Sequence, residues 1–478
     1  MAVSVGFWPA VSTADDLSAS RPSPRRPAAM VGEPTVPHPA ERPTPMIPLP
    51  EVCDLSQLAA SLRSGLFPLR DYLARIEALF EASEGELRAF TPEDRRFVRL
   101  QAETEQLLVR HPDPAARPPL FGIPIAVKDI VHVAGMPTRA GSALPADVLV
   151  GPESPCVAAL KRAGALVLGK TETAEFAFRA PAATRNPYHP EHTPGGSSSG
   201  SAAAVSAGLV PFAIGSQTIG STNRPAAYCG IAGFKPSYGR LPLSGVVPLA
   251  PSLDHLGLLA PTVADVAFAF GVLTGKPGAV PMNRPPVLGI PDGPYLARME
   301  PRMAAHFEAV AARFRASGIT VIAYPAFGDM EQIISATREL LAGEAAAIHQ
   351  RWYAQFGELY RQQTADLITA GRAVAPAHLQ SGRALRLSLR TQCLAARERH
   401  GFDCWLTPAA TGPAPLGLGD TGDGVMQLPW SLSGLPTVNF RSGFIDGLPV
   451  GVQLVGGWYG DEEVLGTAAA LEQIVADD

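Results

Sequence analysis

Cysteine is sparse and scattered in this 478-residue chain: Cys53, Cys156, Cys229, Cys393 and Cys404 are odd in number and form no CxxC pair. That spacing suggests neither a disulfide framework nor a zinc site, and fits free thiols in a reducing cytoplasm. Charge is scarce as well, at 17% of residues, with a net charge of −5 and no clustered basic stripe. An electrostatic nucleic-acid partner is therefore not expected. No stretch reaches the roughly 20 apolar residues that cross a bilayer. The N-terminus has no basic segment leading into a hydrophobic one, and the twin arginine Arg25-Arg26 runs straight into Pro27 and a proline-rich sequence. These absences predict a cytoplasmic protein with no metal and no membrane contact, acting on small molecules.

What the chain does have is apolar mass, at 46% hydrophobic residues, and many turns, from 46 glycines and 48 prolines. Residues 1–49 are rich in Pro, Ala and Ser without apolar periodicity, and read as a disordered extension or as sequence upstream of a later start at Met30 or Met46. From residue 50 onward one domain is expected. Its first helices come from LSQLAASLRSGLF and YLARIEALFEA, whose apolar residues recur at helical spacing. Between Pro119 and Gly275, strand-like runs (IPIAVKDIVHV, ALVLGK, VPFAIGS) alternate with helical ones (CVAALKRAG, SAAAVSAGL, TVADVAFAFGVL). This is the pattern of an α/β protein in three layers, a large twisted mixed sheet with helices on both faces. VLGIP and ITVIAYP continue it, residues 329–400 read as successive helices forming a cap or pocket wall, and FDCWLTPAA, LPTVNFRSG and LPVGVQLVGG return to the sheet.

The chemistry concentrates in three places. Lys128 lies in the apolar run GIPIAVKDI, where a charged amine must pair, reach solvent or lose its proton. A surface lysine, or one paired with adjacent Asp129, is the plain alternative. The run GGSSSGS, from Gly195 to Ser201, sits between irregular chain and a helix start, where backbone amides are free to meet an anion or hydroxyls. It is not a phosphate loop, because Ser201 stands where the lysine belongs. It also spells GxSxG around Ser198, but three prolines between Pro187 and Pro194 replace the strand a nucleophile elbow requires. The third place is SQTIGSTNRPAAYCGIAGFKPSYGR, where Ser221 follows a strand within a tight turn that can present its hydroxyl beside successive N–H groups. His132 and His255 lack a positioned carboxylate and serine in their sequence context, so no histidine receives a catalytic role.

Taken in order, GIPIAVKD, AGMPTRAGS, LGKTETAEFAF, NPYHPEHTPGGSSSGSAAAVSAGLVPFAIGS, STNRPAAYCGIAGFKPSYGR and SLDHLGLLAPTVADVA resemble the blocks of the amidase signature family, with GLPTVNF and GLPVGVQLVG as its closing strands. The likeness covers residues 55–478 and is weakest from 280 to 400. It implies a hydrolase of small-molecule amides, with carbamates and esters open to the same machinery and no cofactor. By resemblance Lys128 is the catalytic lysine, Ser197 the bridging serine held by a cis peptide bond, and Ser221 the nucleophile. The amides of Thr218, Ile219, Gly220 and Ser221 correspond to the oxyanion hole, and Ser198 to an auxiliary hydrogen-bonding residue. Lowering a lysine pKa from about 10.4 to between 7 and 8 corresponds to about 4 kcal/mol, within the reach of burial.

Four positions depart from the family pattern. Gln217 stands where aspartate is common, Ile219 where glycine is common, Asn223 where arginine follows the nucleophile, and Ile130 where KDN is usual. Isoleucine resists positive φ, so an altered nucleophile turn is expected. Two other readings stay open: the glutamine-hydrolysing subunit of a tRNA amidotransferase, and a catalytically silent binding protein of the same fold. A homodimer also stays open.

Overall fold

The computed structural model describes residues 54–475; the expectation of disorder over residues 1–49 lies outside them. Ten strands form a single sheet: β1 (Pro124–Lys128), β2 (Leu166–Thr171), β3 (Phe212–Gln217), β4 (Ala232–Lys235), β5 (His255–Ala260), β6 (Val287–Asp292), β7 (Thr320–Pro325), β8 (Cys404–Pro408), β9 (Thr437–Ile445) and β10 (Leu448–Val455). Their spatial order is β2-β1-β3-β5-β4-β9-β10-β8-β6-β7. The two ends of the sheet are parallel, β2-β1-β3 and β8-β6-β7, and the middle is antiparallel. Every residue of β1, β2, β3, β4, β5, β8 and β10 is buried. In a strand successive side chains face opposite sides, so complete burial means that both faces are covered. This is the expected layered α/β architecture with a mixed sheet.

Strand β2 ends the sheet at one side, and its outer carbonyls are partnered. Arg99 donates from Nη1 to Val167 O at 3.0 Å and from Nη2 to Leu168 O at 3.1 Å. Such side-chain cover blunts an edge that would otherwise template another strand. At the far side β7 is partly exposed.

Residues 329–400 fold as the four helices Met330–Ile348, Gln350–Phe356, Gln362–Arg372 and Pro376–His400. Three ties fix this helical region to the sheet's loops. The Glu175 carboxylate accepts from the Thr364 hydroxyl at 2.5 Å and from the Arg361 amide, capping the start of helix 362–372. The Glu344 carboxylate accepts from the amide and hydroxyl of Ser252 at 2.8 and 2.6 Å. Arg386 and Arg390 donate to the carbonyls of Leu432 and Ser433 at the end of the short helix Leu428–Ser433. Among the described residues no helix is long and apolar enough to cross a membrane, no group of acidic, histidine or cysteine side chains could hold a metal ion, and Cys156, Cys229, Cys393 and Cys404 are free and buried.

Candidate active site

Strands β1 and β3 run parallel as neighbours, with Val127 opposite Ile214, so their C-terminal ends come side by side. In an α/β sheet this is where crevices open. Lys128 closes β1, and Ser216 and Gln217 close β3. Lys128 is fully buried, and its Nζ lies 2.7 Å from Ser197 Oγ and 2.7 Å from Ser216 Oγ. Asp129 is not its partner: the Asp129 carboxylate faces the other way and is held by Lys170 at 2.8 Å. Burial holds the Lys128 pKa well below its ordinary value; the negative charge of Asp254 opposes this, and the positive charge of Arg224 adds to it. A buried amine facing two hydroxyls and no carboxylate is chemically a base.

Ser197 arrives from the loop before helix Ser199–Ser206. Gly195 enters the loop at φ +79°, a conformation that favours glycine, and the Gly196–Ser197 peptide bond is cis. Ser198 fastens this loop to β3: its hydroxyl donates to the Ser216 carbonyl and accepts from the Ser216 amide, both at 3.2 Å. A fully buried hydroxyl engaged twice with one residue's backbone, with no strand before it, is not set up as a nucleophile elbow. The Ser197 carbonyl accepts from the Ala174 amide at 3.2 Å.

Ser221 follows β3 across the turn Thr218–Gly220, directly before helix Asn223–Tyr228. It is 7% exposed, and among the described residues its hydroxyl has no protein hydrogen-bond partner. Its carbonyl accepts from the Ser198 amide at 3.3 Å, which joins the two serine segments. Gly220 packs closely on Gln427: a Cβ there would lie 2.7 Å from Gln427 Oε1, so that side chain would have to shift. The amides of Ile219, Gly220 and Ser221 donate to no protein acceptor among the described residues.

The unusual residues of this turn are accommodated locally. Ile219 does not occupy the left-handed region, so the expected clash between isoleucine and positive φ does not arise. Gln217 substitutes an amide for a carboxylate: its Oε1 accepts from the Thr222 and Asn223 amides at 2.9 and 3.0 Å, and its Nε2 donates to Ser431 Oγ at 3.0 Å. Asn223 turns away, donating to Thr437 Oγ1 and Gln453 Oε1. Arg224, buried to 6% exposure, donates from Nη2 to the Gly196 carbonyl at 2.7 Å and to Thr421 Oγ1 at 3.1 Å. Asp254 accepts from Thr218 Oγ1 at 2.7 Å; although the residue is only half-buried, enclosure of its carboxyl pushes its pKa up to about 6.

His255 is buried, with Nδ1 facing the carbonyls of Gln217 and Leu253 at 3.1 and 2.6 Å, and burial lowers its pKa well below the usual value. His132 Nδ1 pairs with Thr138 Oγ1. Among the described residues neither hydrogen-bonds to Lys128, Ser197 or Ser221. Sequence reading singles out Lys128, Ser197, Ser198 and Ser221; it gives no role to Ser216, Arg224 or Ser431, which the structure bonds to Lys128, to the Gly196 carbonyl and to the Ile219 carbonyl. The only signal for Ser216 is a polar residue closing the otherwise apolar strand VPFAIGS.

A buried lysine on two hydroxyls lies at the C-terminal edge of a mixed α/β sheet, beside a serine on a turn of unengaged amides, in a layered α/β fold of the hydrolase class. The chain belongs to the amidase family, whose model matches residues 69–465. Among curated relatives it is similar to a subunit of glutamyl-tRNA(Gln) amidotransferase from Symbiobacterium thermophilum, at 32% identity over 410 residues, covering 74% of this chain and 83% of that protein. The corresponding protein of Thermus thermophilus is 33% identical over 409 residues, with coverage of 75% and 86%. Among solved structures it is similar to an amidase at TM-score 0.80 and 31% identity, covering 88% of this chain and 100% of that one. It is similar also to the native peptide amidase of Stenotrophomonas maltophilia, at TM-score 0.75 and 27% identity, covering 88% and 97%.

Proposed function

We propose that this protein hydrolyses the carbon-nitrogen bond of a small-molecule linear amide through an acyl-enzyme on Ser221, with Ser197 and Lys128 relaying the proton. The observation that carries this reading is the Lys128 amine, buried without a carboxylate partner and 2.7 Å from each of the Ser197 and Ser216 hydroxyls. A neutral amine has two hydrogens and one lone pair. Donating to Ser216 leaves the lone pair for the hydrogen of Ser197. As Ser221 Oγ attacks the carbonyl carbon, its proton passes to Ser197 while the Ser197 proton passes to Lys128. The carbonyl oxygen takes the negative charge and meets the amides of the turn Thr218–Ser221, where each donor is worth about 2.7 to 4 kcal/mol. Ser197 then protonates the departing nitrogen and recovers its own proton from Lys128, and the C–N bond breaks. Water attacks the ester by the same relay, releasing the acid and restoring Ser221.

The test is direct. Incubation with a serine-directed fluorophosphonate, followed by peptide mapping, is expected to modify Ser221, and a panel of benzamide, hexanamide, an aryl carbamate and an aryl ester is expected to give hydrolysis that Lys128→Ala and Ser221→Ala abolish. Modification at Ser198, or full activity in either variant, would refute the assignment. Failure to label and to turn over would favour a silent binding protein.

A second reading has support in the names of two relatives, each one component of a glutamyl-tRNA(Gln) amidotransferase. Under it the same site would hydrolyse glutamine and pass ammonia to a partner protein. Recovery of a stable heteromeric complex by pull-down, with glutamine hydrolysed faster than hexanamide, would select it; a free homodimer active on hexanamide would reject it.

A further inference from the structure

In a trans peptide the C=O and the following N–H point in opposite directions. Holding a carbonyl therefore aims the next amide. Three successive carbonyls of the Ser221 turn are held. Ile219 O accepts from Ser431 Oγ at 2.5 Å, Gly220 O from the Arg224 amide at 3.0 Å, and Ser221 O from the Ser198 amide at 3.3 Å. The first two leave the amides of Gly220 and Ser221 facing the opposite side, and neither donates to a protein acceptor among the described residues. The Gly220 carbonyl is held by the helix that follows it, and the Ser221 carbonyl by a loop backbone. Of these three carbonyls only that of Ile219 is held by a side chain.

That side chain is itself oriented. The Gln217 carboxamide must turn its oxygen to the Thr222 and Asn223 amides, because both are donors. Its nitrogen is thereby left facing Ser431 Oγ at 3.0 Å. A hydroxyl oxygen that accepts from Gln217 keeps its own hydrogen for a different acceptor, and the Ile219 carbonyl is that acceptor. One glutamine thus fixes the turn on both sides: directly by two amides after the nucleophile, and through a serine at the peptide before it. Gln217 and Ser431 are buried, and the bonds Gln217 makes to Ser431, Thr222 and Asn223 are shielded from solvent, where each is stronger than in water; the Ser431–Ile219 bond is partly buried.

We infer that Ser431, oriented by Gln217, is a positioning residue that aims the Gly220 amide at the oxygen of the tetrahedral intermediate. The inference rests on the Ser221 reading above. Neither residue touches the substrate. Their contribution is to keep a donor in place before the charge develops, which is where such a donor has its effect.

The experiment compares Ser431→Ala, Ser431→Thr and Gln217→Glu with the wild type, using hexanamide or benzamide, whichever is turned over faster, and phenylboronic acid as a tetrahedral mimic. In Gln217→Glu the carboxylate still accepts from both amides but takes the Ser431 hydrogen for itself, so the Ile219 carbonyl is released without loss of the turn's other bonds. Ser431→Ala and Gln217→Glu are expected to lower kcat by about tenfold or more and to weaken phenylboronic acid by a similar factor. KM should stay within about twofold. Ser431→Thr keeps the hydroxyl and should recover most of the rate. A folded Ser431→Ala with unchanged kcat and unchanged phenylboronic acid affinity overturns the positioning role while leaving Ser221 chemistry intact. Should Ser431→Ala fail to fold, Gln217→Glu decides by the same criteria. A wild type that neither labels at Ser221 nor binds phenylboronic acid removes the underlying reading, and this inference with it.

Discussion

Lys170 takes the carboxylate of Asp129 at 2.8 Å, and Lys128, beside Asp129 in the chain, is left without it. Lys128 is the last residue of β1 and Asp129 the first of the turn that follows, and their side chains diverge: Asp129 points to Thr138 and Lys170, while Lys128 points to the serines. Both partners of the Asp129–Lys170 pair are almost fully buried, and Asp129 Oδ2 also accepts from the Arg139 amide. Lys170→Met is therefore expected to strand a buried carboxylate and lower the unfolding free energy by about 3 kcal/mol or more. Urea denaturation measures this; a loss below about 1 kcal/mol, the range of surface pairs, would contradict it.

The absence of a counter-ion at Lys128 also predicts a pH slope. Between its depressed folded pKa and about 10.4 the unfolded chain binds one proton more than the native chain, so this residue makes stability rise with pH. In Lys128→Met that proton is gone from both states. The hydroxyls it leaves unpartnered shift stability by a constant and do not alter the slope. Between the depressed folded pKa and about 10.4 the wild type should gain stability relative to Lys128→Met, with a slope approaching about 1.4 kcal/mol per pH unit. Parallel stability curves for the two proteins would mean that Lys128 keeps its proton on folding.

Much of the fold is legible in the sequence because the strands of this sheet are short apolar runs bounded by Gly and Pro, as in ALVLGK, VLGIP and LPVGVQLVGG. The strands that sequence pattern does not delineate are β4 and β5. β4 is AGFK, four residues ending in a lysine, too short to show an apolar run. In the structure Lys235 is fully buried, donates to Leu435 O and Pro236 O, and has its pKa lowered by burial to about 7. Strand direction is equally hidden, since the antiparallel pairing of β9 with β4 joins residues some two hundred positions apart. The same reason explains the site. Lys128, Ser197 and Ser221 stand out in local motifs, whereas Ser216, Arg224 and Ser431 acquire meaning only when β1, β3 and helix Leu428–Ser433 converge.

Arg224 carries the next prediction, since the chain has it one place later than the family arginine and aims it at the loop that carries Ser197. Its guanidinium holds the Gly196 carbonyl, and its positive charge adds to the burial that lowers the Lys128 pKa. Arg224→Met removes both. Without a nearby like charge the Lys128 pKa rises, so the acid limb of the kcat/KM profile should move to higher pH. The plateau should also fall, because the loop bearing Ser197 loses a buried hydrogen bond. A pH-rate profile on the substrate found in the amide panel separates the two effects, and an acid limb that stays in place or moves to lower pH would remove the electrostatic part.

Ser216 supplies the most specific test of the proton relay. If the Lys128 amine is neutral, its lone pair must face Ser197, and the bond it donates to Ser216 Oγ is what turns it that way. Ser216→Ala leaves the amine in the same buried place with its hydrogens unanchored, so the base is present but not aimed. The expected loss is about tenfold in kcat and in the rate of fluorophosphonate labelling at Ser221, well short of the loss from removing the lysine itself. Because the hydroxyl acts only through the amine, Ser216→Ala added to Lys128→Met should cost nothing further, a non-additivity that a double-mutant cycle reads directly. Additive losses would mean that Ser216 works on the site by a different route, and that the two hydrogen bonds at Nζ are structural.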